Sequence, residues 1–169
     1  MANTAFSRRA FAPLSPASSR LLLASALLGL AGTAAPAADT DASWLGGAGV
    51  WSDTANWSGG VVPVNGQPLV SDTYDAFIGG IDDAVDLDLD VGLSRLTFTA
   101  GTLSLSQSAP LAIADAFDWS GGTLTSGSGN FLDLGSAANS LWSGTLAVTK
   151  VRVANAGTLT LADGIQVSV

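Results

Sequence analysis

Glutamate, histidine and cysteine are all missing from this 169-residue chain. Without histidine or cysteine there is no Ser-His-Asp or Cys-His nucleophile system, no zinc site of ordinary ligand type and no disulfide. Without glutamate, the bidentate ligand that closes an EF-hand calcium loop is lacking too. Basic residues are scarce, 6 against 14 acids, all of them Asp. That balance argues against nucleic acid, since phosphate binding needs clustered Lys and Arg. The helix formers Lys, Gln and Met are few as well. What remains is dominated by Gly, Ser, Thr, Ala, Leu and Val, the make-up of a β-rich chain with many turns.

The first 38 residues have the three parts of a bacterial secretory leader. Arg8, Arg9 and Arg20 give a positive start, and "LLLASALLGLA" (21–31) is an apolar run too short to span a bilayer as a helix. "AAPAAD" follows, where Ala35, Ala37 and Ala38 mark the cleavage region, with cutting expected after Ala37 or Ala38. "SRRAF" (7–11) is similar to the twin-arginine export signal, but Ala12 and Pro13 depart from it, so general secretion stays ahead and both routes stay open. Removing the leader leaves Arg95, Lys150 and Arg152 against the 14 Asp, a net charge of −11. The expected address is exported: cell surface, extracellular or periplasmic, with no membrane span in the mature chain. An acidic surface of this kind is self-repelling and a poor match for anionic lipid.

After the leader two zones are distinguishable. Residues 39–80 hold Trp44, Trp51 and Trp57 among Gly, Asp and Pro, and are expected to form an N-terminal cap. Residues 81–169 run as short alternating segments separated by Gly, Ser and Asn. "AVDLDLDV" (84–91) sets Val85, Leu87, Leu89 and Val91 against Asp86, Asp88 and Asp90, the period of a half-buried strand. "GTL" recurs at Gly101, Gly122, Gly144 and Gly157, and "WSGGTL" (119–124) returns as "WSGTL" (142–146). Strands and Gly turns repeating at a little over 20 residues predict an all-β solenoid in which each rung stacks on the next. A β-sandwich with coincidental Gly-Thr-Leu is the alternative. The last segment, "GIQVSV", stops in mid-alternation, and the expectation is that further rungs follow Val169.

"GVWSDTANWSGGVVP" (49–63) and "FDWSGGTLTSGSGNFLDL" (117–134) resemble the exported bacterial surface proteins with autotransporter-associated β-strand repeats, many with a C-terminal sorting signal. The resemblance covers most of residues 44–169. It implies a right-handed β-helix and a structural or adhesive role at the cell surface or in the extracellular matrix. The expected function is therefore non-enzymatic, with surface polysaccharide or other cell-surface proteins as candidate partners.

Three constellations carry possible chemistry. Trp44, Trp51 and Trp57 are candidate glycan contacts if their rings are exposed, and core or cap filling if they are not. Asp82, Asp83 and Asp86 are a weak candidate for calcium, against a solvated or edge-protecting face. Asp115, Asp118, Asp133, Lys150 and Arg152 are the actors a polysaccharide-active β-helix enzyme would draw on, but no spacing among them singles out a carboxylate pair. No catalytic, cofactor-binding or metal-binding residue is nominated.

Overall fold

The computed structural model describes residues 39–106, 110–127 and 130–164, and the backbone of 166–168. The leader, including Ala35, Ala37 and Ala38, lies outside the described residues. The described residues form a parallel β-solenoid of about four turns with almost no helix among them. Its strands are β1 (Thr40–Ser43), β2 (Ala48–Val50), β3 (Tyr74–Ile78), β4 (Ala84–Leu87), β5 (Val91–Phe98) and β6 (Thr102–Leu105). They continue as β7 (Leu111–Ser126), β8 (Phe131–Leu134), β9 (Asn139–Thr149), β10 (Arg152–Asn155), β11 (Thr158–Leu161) and β12 (Gln166–Ser168). Every pairing between them is parallel.

The pairings define three faces. The first stacks β1, β3, the second half of β5, the middle of β7, the start of β9 and β11. The second stacks β2, β4, β6, the end of β7, the end of β9 and β12. The third stacks the start of β5, the start of β7, β8 and β10. Strands β5 and β9 each bend around one corner and serve two faces, and the long β7 bends around two corners and serves all three. On the first face residue 76 pairs with 96 and 96 with 117, so one circuit takes 20 or 21 residues. Ala42 pairs with Ala76, a longer first circuit that accommodates residues 51–73.

Alternation along each strand sends every second side chain into the axis, where parallel register turns single residues into columns. On the second face Val85, Leu103, Leu124 and Val148 follow one another, all buried. On the third Val91, Leu111 and Leu132 do the same. The first face carries the aromatics: Ile78, Phe98, Trp119 and Trp142 share one column, and Phe117 lies beside it in register with Leu96. Phe117 and Trp119 are stacked at 5.7 Å between centroids. No single coil closes around its own apolar residues, so the core exists only through stacking.

Two details differ from the sequence pattern. "AVDLDLDV" is not one strand: β4 ends at Leu87, residues 88–90 turn a corner and β5 begins at Val91. The corner is held by Asp88, whose carboxylate accepts the Ser52 N–H (2.9 Å) and hydroxyl (2.5 Å). The four Gly-Thr-Leu copies are not equivalent either. Thr102 pairs with Thr123, but Thr123 pairs with Ala147, two residues past Thr145. Ser143 and Gly144 form an irregularity after Trp142 that adds one residue to β9; with the Gly missing from "WSGTL" the two copies end two residues out of register, and this even offset keeps Leu146 and Val148 facing inward. The fourth copy, Gly157-Thr158-Leu159, opens β11 on the first face instead of the second, which accounts for its short spacing.

The tryptophan-rich zone supplies β1, β2 and β3 to the faces and a compact insertion beside them. Asp53 caps the 3-10 turn Thr54–Asn56 by accepting the Ala55 N–H at 2.9 Å. Asn56 donates its amide to the Val50 carbonyl at 2.9 Å, across the space that Gly49 leaves by lacking a Cβ. Trp44 and Trp57 meet through an antiparallel bridge, and Trp51 packs against Trp57 at 4.5 Å. Among the described residues no helix is long and apolar enough to cross a membrane.

Candidate functional site

The outward side of the first face, over its first three coils, carries acidic, basic, hydroxyl and aromatic side chains together. Ala42, Ala76 and Leu96 point inward and are buried, so the residues flanking them point out. Register then sets Asp41, Asp75 and Arg95 in one outward column and Ser43, Phe77 and Thr97 in the next. Neighbours within a column are about 4.8 Å apart, and the two columns about 7 Å apart along the strands. Together they line an open trough of about 340 Å³.

Arg95 reaches back to Asp75, Nε to Oδ2 at 3.6 Å. Asp75 Oδ1 is buried and has no hydrogen-bond partner. Burial is the main reason its carboxyl is pushed above the usual carboxylate range. Asp39 adds to that, and Asp41 and Asp115 contribute in the same direction against the opposing pull of Arg95. Asp39 is held near by Ser94, whose hydroxyl donates to Asp39 Oδ1 at 3.1 Å.

Phe77 is 43% exposed, an aromatic ring on an otherwise small-residue surface. Its position depends on Gly79. A Cβ there would stand 2.8 Å from Phe77 Cε1 and closer still to Cζ, so the ring is laid along the strand over a bare backbone. In the same register Ser43 and Thr97 place a hydroxyl side chain on either side.

The residues singled out in the sequence lie elsewhere. Trp44, Trp51 and Trp57 are 7%, 0% and 1% exposed, and each indole N–H is spent inside, on the carbonyls of Gly47, Pro63 and Trp51 respectively. They have no free ring face for a sugar, and the glycan contact expected at these three positions is corrected to core packing. Trp119 and Trp142 are buried as well. Asp82 is exposed on a turn, Asp83 is buried with its carboxylate accepting the Gly80 N–H at 2.7 Å, and Asp86 is half-buried in β4. No group of three metal-ligating side chains forms among the described residues.

Of the residues a polysaccharide-active enzyme would use, Asp118 points out from the first face and accepts the Leu141 N–H, and Asp133 lies on the third face. Arg152 stands over the Phe131 ring at 5.3 Å. They are distributed over the faces and form no shared cleft. Asp115 alone acts on the trough, through its charge on Asp75.

No protein-family model matches this chain, and no curated protein or solved structure matches it.

Proposed function

We propose that the chain is a non-enzymatic, exported β-solenoid segment with a structural or adhesive role at the cell surface or in the extracellular matrix. The observation that carries this reading is the columnar core. Inward residues continue from coil to coil in register, while the outward positions hold many short polar side chains and most of the Asp, with Phe77, Phe131 and Leu141 among the exposed apolar exceptions. Such a body is extended by repetition and presents flat, acidic faces, which suits a scaffold or a shallow multivalent contact. The leader pattern supports export, and the resemblance of residues 49–63 and 117–134 to autotransporter-associated repeats supports a surface address.

Fractionation tests it. An antibody against residues 39–80 should detect the protein on intact cells or in the medium, without the leader, and protease added to intact cells should remove the surface signal. Retention in the cytoplasm with the leader intact would contradict the proposal.

A further inference from the structure

We infer that residues 53–65 act as an autoinhibitory clasp: they occupy the strand edges at the N-terminal end of the solenoid, where the far end of a second copy would otherwise add as a further coil. The inference goes beyond the surface role proposed above and does not depend on it.

Along a parallel strand the backbone groups point alternately to the coil before and the coil after. Thr40 and Trp44 donate their N–H groups to Thr73 and Phe77 on the next coil, so those of Ser43 and Leu45 face the open end. Neither is left bare. The Ser43 N–H donates to the Ser58 hydroxyl at 2.8 Å, and the Leu45 N–H to the Asn56 carbonyl at 2.9 Å. On the second face the Val50 carbonyl of β2 accepts the Asn56 amide at 2.9 Å. On the third, the Gly92 carbonyl of β5 accepts the Asn65 N–H at 2.7 Å. One stretch thus meets the first strand of all three faces. It also covers the axis, because Trp57 lies against Trp44 and Trp51 at 5.1 and 4.5 Å and all three rings are buried. An edge covered in this way cannot template another strand.

The far end is the opposite. Among the described residues β10 and β11 each pair on one side only. Arg152 and Ala156 donate their N–H groups back to Asn130 and Leu134, which turns those of Val153 and Asn155 outward. Val153 and Leu161 end their columns 39% and 53% exposed. Charge selects the occupant. Residues 39–73 carry Asp39, Asp41, Asp53 and Asp72 and no cation, while residues 150–164 carry Lys150 and Arg152 against Asp163. Head-to-tail contact sets these opposite signs together and extends without closing, whereas two far ends would meet with like charges.

Analytical ultracentrifugation of the purified full chain and of an Asp53→Ala/Asn56→Ala/Ser58→Ala variant tests this. The wild type should sediment as a monomer. The variant, with its clasp loosened, should form concentration-dependent oligomers averaging at least about twice the monomer mass. Added wild type should shorten them, because its far end can join a variant chain but its N-terminal end cannot be joined. Adding Lys150→Asp and Arg152→Asp to the variant should return it to monomer. Thermal melts establish that each variant folds. If the triple variant is unfolded, hydrogen exchange decides: the Ser43 amide should exchange at least about tenfold more slowly in the wild type than in Ser58→Ala. A folded triple variant that stays monomeric, a wild type that oligomerises to the same extent, oligomers indifferent to added wild type or to the charge reversal, or equal Ser43 exchange in the two proteins would each overturn the inference.

Discussion

Trp119 and Trp142 occupy the same position on successive coils, edge to face at 5.1 Å, yet only one of them satisfies its indole N–H. Trp119 Nε1 donates to the Gly121 carbonyl at 2.8 Å, while Trp142 Nε1 is buried without an acceptor among the described residues. The two should respond differently to loss of that group. Trp119→Phe removes a made bond and bulk from a filled column, and is expected to cost about 2–4 kcal/mol. Trp142→Phe removes an unmet donor, and should cost at least about 1 kcal/mol less. Chemical denaturation of the two variants checks the order.

The corner glycines set how closely coils approach. Gly122 has φ 91°, and a Cβ there would stand 2.8 Å from both the Gly101 carbonyl oxygen and Phe98 Cζ. Gly122→Ala should destabilise by more than about 2 kcal/mol, through backbone strain and forced separation of the coils. Lys150 also has positive φ, 56°, a conformation that glycine adopts without strain. Lys150→Gly is expected to be neutral or stabilising by up to about 1 kcal/mol, and chemical denaturation of both variants checks the contrast.

Acid should act on Asp88 and Asp75 in opposite senses. Burial alone would raise the Asp88 carboxyl, but the Ser52 hydroxyl and N–H bonds, with its own backbone N–H, outweigh that and lower it below 3.8. Its contribution is present above the unfolded value and is lost as pH falls through the lowered folded one. Asp75 is raised, so its charged form weakens the fold at neutral pH and protonation relieves it as pH falls through the raised value. Ser52→Ala should therefore destabilise at pH 7, and Asp75→Asn should stabilise, each by less than about 1 kcal/mol, with both differences shrinking below pH 3.8. Urea melts at neutral and acid pH give both signs.

The columns make core truncation costly. Leu103 is fully buried between Val85 and Leu124. Leu103→Ala should cost about 2–5 kcal/mol, measured by denaturant midpoint, because neighbours fixed in register on adjacent coils have little freedom to collapse into the space.

Much of this fold is legible in the sequence because alternation and turn glycines act locally. Val85, Leu103 and Leu124 announce their facing by their neighbours alone. Register between coils is different. "WSGGTL" and "WSGTL" match by eye at Thr-Leu, but the chain aligns the tryptophans and then slips one residue at the Ser143-Gly144 irregularity, so that Thr123 meets Ala147. The trough was hidden for a related reason. "DASW" (41–44), "DAFI" (75–78) and "RLTF" (95–98) are each unremarkable, and only stacking them at the circuit length brings Asp41, Asp75 and Arg95 together beside Phe77. The tryptophans are the conspicuous aromatics of the sequence, and their size is the reason they are inside.

In-register parallel stacking is the claim on which everything else depends, and paired spin labels test it most directly. The chain has no native cysteine, so Ser104→Cys with Thr125→Cys, and Thr125→Cys with Thr149→Cys, can be labelled cleanly at outward positions of the second face. Adjacent coils place each pair about 4.8 Å apart at the backbone, so both should show strong dipolar broadening, and Ser104→Cys with Thr149→Cys should report about twice that backbone separation. Absence of broadening in either adjacent pair, or a separation beyond about 20 Å for it, would contradict the solenoid register.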